Sequence, residues 1–150
     1  MLQYRAFHEE DLHFFKQCAQ NSPDWIKEES DPDELSDYMK RHEMYQGEWR
    51  IWEKNGIPLA ISFLAEWVPS NEKAWLGTIL VHPDFRGRGT GKEILSLIGK
   101  ELRLQGHKVL FAGVPEARLE WIRFLSAGGF EQYKLEKIGD KEYMVLIFPL

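Results

Sequence analysis

At 150 residues, 43% hydrophobic and 13% aromatic, the chain has the size and composition of one globular domain, and no apolar run reaches the ~18 residues of a membrane span. A net charge of −5 argues against a general nucleic-acid binder, which would show a basic face. The single cysteine, Cys18, and the absence of an apolar leader after Met1-Leu2-Gln3-Tyr4-Arg5 point to a reducing cytoplasm, and the five scattered histidines show no metal-ligand spacing.

Leu2 to Phe7 alternates enough to predict a first strand. Glu9 to Gln20 is predicted as a helix, with Leu12, Phe15 and Ala19 on one face. Asp31-Pro32-Asp33-Glu34 reads as the start of a second: Asp31 caps, Pro32 suits the first helical position and Glu34 completes a capping box. Leu35, Tyr38, Met39 and His42 continue its face, where His42 is expected to be a packed residue rather than a base. Between Asp24 and Asp37 stand Asp24, Glu28, Glu29, Asp31, Asp33, Glu34 and Asp37 against one base, Lys27. That stretch is either a solvated helix face or an electrostatic collar that draws in a cationic substrate.

From Gly47 the period changes to two, and Asn55-Gly56 is a strong hairpin signal between that strand and Ile57–Trp67. After the turn Val68-Pro69-Ser70-Asn71 comes a nearly continuous apolar strand, Ala74 to Val81. Lys92 to Leu104 is a helix with Ile94, Leu95, Ile98 and Leu102 inward, ended by Gly106. Val109 to Val114 is a buried strand, and Glu116 to Ala127 a helix stopped by Gly128-Gly129. Tyr133–Ile138 and Tyr143–Phe148 form a last hairpin around Gly139-Asp140. The predicted order is β-αα-βββ-α-β-α-ββ, a mixed α/β domain.

Between the strand 74–81 and the helix after it lies Arg86-Gly87-Arg88-Gly89-Thr90-Gly91-Lys92. Glycine at every second position lets a ligand approach the main chain, and the following helix end adds partial positive charge. Such a turn holds a phosphate or pyrophosphate. A nucleotide P-loop needs four residues between its first glycine and Gly-Lys, then Ser or Thr; here there are three, and Glu93 follows Lys92. A dinucleotide fingerprint needs G-x-G-x-x-G and an acid ending the next strand, where Val114-Pro115 stands instead.

Val81-x-Pro83-x-x-Arg86-Gly87-x-Gly89-x-Gly91 resembles the acyl-CoA signature of the GNAT superfamily of N-acyltransferases, and the order of elements resembles it over nearly the whole chain. The resemblance implies one N-acetyltransferase domain over residues 1–150, a largely antiparallel sheet whose strands 74–81 and 109–114 splay apart, and acetyl-CoA as co-substrate with no metal. It implies that the amides of Arg88, Gly89, Thr90 and Gly91, flanked by Gly87 and Lys92 and with Arg86 at the Arg/Gln position, hold the coenzyme A pyrophosphate. Ile79, Leu80 and Val81 would pair with the pantetheine arm as one strand pairs with another. The main-chain amide of Ile79 would stabilise the tetrahedral oxyanion.

Three departures bear on catalysis. Where several members carry a glutamate this chain has Trp75, which leaves Glu66 and Glu72 as general-base candidates, Glu66 the better because it ends an apolar strand. Where many have a tyrosine acting as general acid, five residues before the phenylalanine of Gly129-Phe130, it has Leu125. Arg118 stands near the place of a frequent asparagine. Tyr133 and Ser126 are the other hydroxyls near that region, and the acid is unassigned. The family's acceptor walls map onto the acidic stretch, with Trp25, Tyr38 and Tyr45, and suit a cationic small amine. Trp49, Trp52, Trp75 and Trp121 are expected in packing roles.

The expected function is acetyl transfer to a primary amine by direct attack in a ternary complex, since Cys18 is remote from the motif. The other reading is a catalytically weak acyl-CoA-binding module, which the missing tyrosine, asparagine and glutamate keep open. Acceptor amine and acyl-CoA are the expected partners, nucleic acid and membrane are not, and a homodimer is compatible with the family.

Overall fold

In this computed structural model the structure describes residues 1–43, 46–68 and 73–150, with backbone alone for 66–68. The strands are β1 (Leu2–Ala6), β2 (Gly47–Lys54), β3 (Ile57–Val68), β4 (Lys73–Val81), β5 (Val109–Pro115), β6 (Glu131–Ile138) and β7 (Lys141–Pro149). The helices are α1 (Leu12–Gln20), α2 (Pro23–Glu28), α3 (Leu35–His42), α4 (Thr90–Leu104) and α5 (Leu119–Ala127). All seven strands join one sheet in the order β1-β2-β3-β4-β5-β7-β6. Every neighbouring pair is antiparallel except β4–β5.

Helices cover both faces. On one, Ile94, Leu95, Ile98 and Leu102 of α4 and Ile122 and Leu125 of α5 pack on Leu64, Leu76, Leu110 and Leu146. Each such burial contributes about 2 kcal/mol, enough to keep a fifteen-residue helix docked that would be marginal alone. On the other face Phe15, Trp25, Leu35 and Tyr38 pack on Ile51, Ile61 and Leu80. The Asn55-Gly56 turn has φ of 52° and 78°, the left-handed pair that a two-residue hairpin requires.

The predicted elements are present, and the structure adds α2. Its six residues are too few to show a helical period, but Pro23 at the first turn and Asp24 beside it repeat the start signal seen at Pro32. Helix α4 begins two residues earlier than its apolar period indicates, and α5 three residues later. His42 is packed among Tyr38, Trp49 and Phe63, and burial pushes its pKa down. Trp52 is buried, with its indole N–H on Ser62 Oγ at 2.8 Å.

Two arginines tie helices to strands. Arg5 donates two bonds of 2.8 Å to the Asp11 carboxylate, which also accepts the His8 amide, so β1 is pinned to the entry of α1. Arg86, just beyond β4, donates from Nε to Val81 O at 2.8 Å, from Nη1 to Asn21 O at 2.8 Å and from Nη2 to Ser22 Oγ at 2.7 Å. One guanidinium thus closes the end of β4 onto the α1–α2 corner. The Arg86 fork matches three acceptors that a lysine cannot reach at once.

Replacing Arg86 by Ala is expected to lower unfolding free energy by about 1–2 kcal/mol in urea titrations, with little recovery in Arg86→Lys. Equal stability of all three proteins would remove the clasp from the account. The Arg5 guanidinium holds the Asp11 carboxyl below its usual range. A lowered folded pKa gives stability that is present above the ordinary carboxylate value, near 4, and lost as pH falls through the folded one. Asp11→Asn should therefore cost about 1 kcal/mol at pH 7, and the gap to wild type should close below about pH 4. A gap independent of pH would contradict this assignment.

Candidate active site

The site begins with a register fault. Phe63 pairs with Thr78 and Leu64 with Leu76, so Gly77 is an extra residue in β4. A Cβ at Gly77 would lie 2.7 Å from the Phe63 ring, which is why the bulged residue is glycine. Among the described residues, β4 and β5 pair at Ala74↔Leu110 and Trp75↔Phe111. Beyond that, β4 stays with β3 up to Val81, β5 stays with β7 up to Pro115, and a gap opens between them. Trp75 and Phe111, stacked with centroids 5.1 Å apart, stand where the strands part. The His82 amide donates to Leu59 O at 2.8 Å, toward β3. Strand alternation therefore turns the amides of Ile79 and Val81 to the opposite edge, where β5 has left.

The turn after β4 completes the cleft. Gly87 and Gly89 have φ of 76° and 77°, and the space that a Cβ would occupy is open at both. Gly91 is needed for another reason: a Cβ there would meet the Phe124 ring of α5 at 2.8 Å. The turn thus delivers the first amides of α4, which have no intrahelical acceptor, to the mouth of the gap. The Arg88 guanidinium lies 5.7 Å from the Phe85 ring centre.

These parts line one cavity of about 570 Å³. Of the residues expected to hold the cofactor, Ile79–Val81, Arg86, Gly87 and Gly89–Lys92 border it, while Arg88 does not. The Arg86 fork is spent on main-chain carbonyls and Ser22, so its part is to fix the turn against the α1–α2 corner. Leu125 is wholly buried in the core and Tyr133 lies 60% exposed on β6. Ser126 is exposed as well. The side chain of Glu66, and all of Glu72 and Tyr45, lie outside the described residues. Cys18 is buried, and burial pushes its thiol up to about 12. No cluster of three metal-ligating side chains occurs among the described residues.

Sequence reasoning missed the far wall. Arg118 at the N-cap of α5 and Trp121 and Phe124 on the helix, three residues apart, line the cleft beside the core stripe Ile122–Leu125. Trp121 and Phe124 stack at 5.1 Å, so Trp121 lines the cleft rather than serving the core alone. Opposite them Trp25 donates its indole N–H to Thr78 Oγ1 at 2.9 Å. Behind Trp25, Tyr38 donates to Glu29 Oε2 at 3.1 Å. Burial raises the Glu29 carboxyl, against the pull of Tyr38 and Arg118, and raises the Tyr38 phenol well above its usual range.

The acidic stretch does not form a collar as a whole. Lys141 holds Glu28 at 2.9 Å, Lys16 holds Asp33 at 2.9 Å, Asp31 caps the Asp33 amide, and Glu29 turns inward to Tyr38. Asp24 is the member of the stretch that borders the cavity.

The Acetyltransferase (GNAT) family matches residues 6–130. A Bacillus subtilis (strain 168) protein named Uncharacterized protein YkzC is 46% identical over 136 residues, 90% of this chain and 95% of that one. The fold superposes on a putative GNAT acetyltransferase of Desulfovibrio desulfuricans with a TM-score of 0.77 at 16% identity, over 99% of each chain. Salmonella typhimurium yncA, a putative acetyltransferase solved with acetyl-CoA, superposes at 0.65 with 18% identity, over 99% of this chain and 94% of that one. The chain, with its splayed strands and glycine turn, belongs to the GNAT acetyltransferase family.

Proposed function

We propose that this chain is an acetyl-CoA-dependent N-acetyltransferase that moves an acetyl group to a primary amine by direct transfer in a ternary complex. The observation that carries this reading is the single cleft joining the parted strands to the glycine turn and the N-terminus of α4. A pyrophosphate suits the amides from Arg88 to Lys92, since the positive end of a fifteen-residue helix faces it. The amide-bearing pantetheine arm suits the edge of Ile79 and Val81, whose backbone groups have lost β5 as a partner.

In that pose the amine nitrogen attacks the thioester carbonyl carbon, and the Ile79 amide stabilises the oxyanion. Collapse breaks the C–S bond and releases the thiolate, whose ordinary pKa near 8.5 lets it leave without a dedicated acid. That matters because Leu125, at the position of the usual tyrosine, is buried in the core. The proton lost by the amine goes to a base, for which Glu66 at the end of β3 is the candidate. A cysteine acyl-enzyme does not fit, because the buried Cys18 thiol is held neutral. Cytoplasmic action on a small amine completes the proposal.

Calorimetric titration with acetyl-CoA, adenosine and ATP tests the binding half. Acetyl-CoA should bind far more tightly than adenosine, and Gly89→Glu should weaken it about 30-fold or more by placing a carboxylate in the nest at a strained φ. Gly91 is the wrong position for this variant, since its Cβ space belongs to Phe124. Thiol release from acetyl-CoA in the presence of amines tests the transfer half. Tight binding with no thiol released by any amine would favour the binding module, and no binding by the folded protein would sink both.

A further inference from the structure

The charged side chains bordering the cleft are Asp24, Arg86, Lys92, Arg118 and Glu120. Arg86 is committed to its carbonyls, and Lys92 stands in the first turn of α4, at the phosphate end. Arg118 has no such commitment among the described residues. Its Nε is buried with no hydrogen-bond partner, and the side chain makes no ion pair or hydrogen bond with any described residue. Its guanidinium lies 5.7 Å from the Trp121 ring centre. Its charge reaches Glu29 and Tyr38 without contact. A guanidinium with a desolvated, unsatisfied N–H is costly, and a ligand anion removes the cost.

Position decides which ligand supplies that anion. The anionic groups of coenzyme A are its phosphates, at the nucleotide end, and the pantetheine arm is neutral. Phe124 marks the phosphate end, because its ring abuts Gly91. Arg118 stands six residues earlier, about 9 Å along the α5 axis, where β5 leads into the helix. It therefore lies toward the other end of the cleft, which Trp25 also lines and from which its charge reaches Glu29 and Tyr38, the end left for an acceptor once the coenzyme is in the proposed pose.

We propose that Arg118 binds a carboxylate of the acceptor, so that the substrate is a small amino acid, bearing the reacting primary amine and an acid group together, rather than a polyamine. The planar fork matches a carboxylate with two parallel bonds, and the stacked aromatic wall keeps the pair dry. The distribution of acids agrees: four of the seven residues that gave the stretch its negative sign are engaged elsewhere or turned inward, which leaves little to recruit a polycation. This inference rests on the N-acetyltransferase reading and names the acceptor class for it.

The test is a thiol-release screen over amino acids, the methyl ester and decarboxylated amine of each, and spermidine, with wild type, Arg118→Gln and Arg118→Lys. The free acid of the best substrate should exceed its ester in kcat/KM by about 10- to 100-fold, the worth of a charge-assisted hydrogen bond. Arg118→Gln should erase that preference through KM while its acetyl-CoA affinity stays at wild type and its melting temperature does not fall, and Arg118→Lys should recover part of it. Preference for esters or spermidine would overturn the proposal while leaving the enzyme reading intact. Weakened acetyl-CoA binding in Arg118→Gln would overturn it too, by assigning the residue to the coenzyme. If no amine is acetylated, the enzyme reading fails, and thermal shift of the coenzyme A-loaded protein reads the site directly. Stabilisation by amino acids but not their esters, lost in Arg118→Gln, supports the carboxylate site; no such difference overturns it.

Discussion

The parallel contact between β4 and β5 has competition on both sides. β4 is held by antiparallel pairing to β3 and β5 by antiparallel pairing to β7, each along nearly its whole described length. A parallel ladder is slightly weaker per residue, and the Gly77 bulge adds local twist just where it ends. The sheet yields there, after Trp75 and Phe111. The residues that line the cavity all border the resulting gap. The edge amides of Ile79 and Val81, the glycine turn and the start of α4 all follow β4 out of the pairing, while Arg118 and the Trp121–Phe124 stack follow β5. A strand edge that has lost its partner still has backbone groups to satisfy, and an extended amide-bearing ligand satisfies them as a strand would.

Keeping the gap open takes a second constraint. A splayed sheet closes if its walls slide, and here the walls are fixed from opposite faces. The Arg86 fork fastens the end of β4 to the α1–α2 corner. On the other side the missing Cβ of Gly91 lets α4 seat against Phe124 of α5. The glycines of one motif thus serve different ends. Gly87 and Gly89 give the backbone a left-handed course, and Gly91 gives a ring its place.

Most of the scaffold was legible because its signals are local. Periodicity located the strands and the longer helices, and Asn55-Gly56 its hairpin. The glycine turn was legible because spacing separates it from a P-loop and a dinucleotide fingerprint, and because the family resemblance covers it. Helix α2 was not, since six residues carry no period. The α5 wall was not, since Trp121 and Phe124 look like core residues until the helix is set against the gap. The bulge was invisible too: Gly77 sits in an apolar strand, and only its pairing with β3 shows that β4 has one residue too many.

Charge was the least legible property, for a reason that applies to most short acidic stretches. A carboxylate attracts a ligand only if nothing in the fold has claimed it, and the claimants are distant in sequence. Lys141 on β7 claims Glu28, Lys16 on α1 claims Asp33, and Tyr38 one helix away claims Glu29. The same argument runs in reverse for Arg118. In the sequence Arg118 is marked only by its place near the family's frequent asparagine, and nothing there shows that its charge differs in pairing from that of Arg123 on α5. The difference is that its buried Nε sits beside the cleft with no hydrogen-bond partner, and no described residue forms an ion pair with its guanidinium. In a protein with net charge −5, a cation at the cleft with no ion-pair partner among the described residues would weigh more in the proposed recognition than the surplus of acids does. The surplus is neutralised by contact or by water, whereas a half-buried charge beside a cleft is screened less and acts more strongly on what enters.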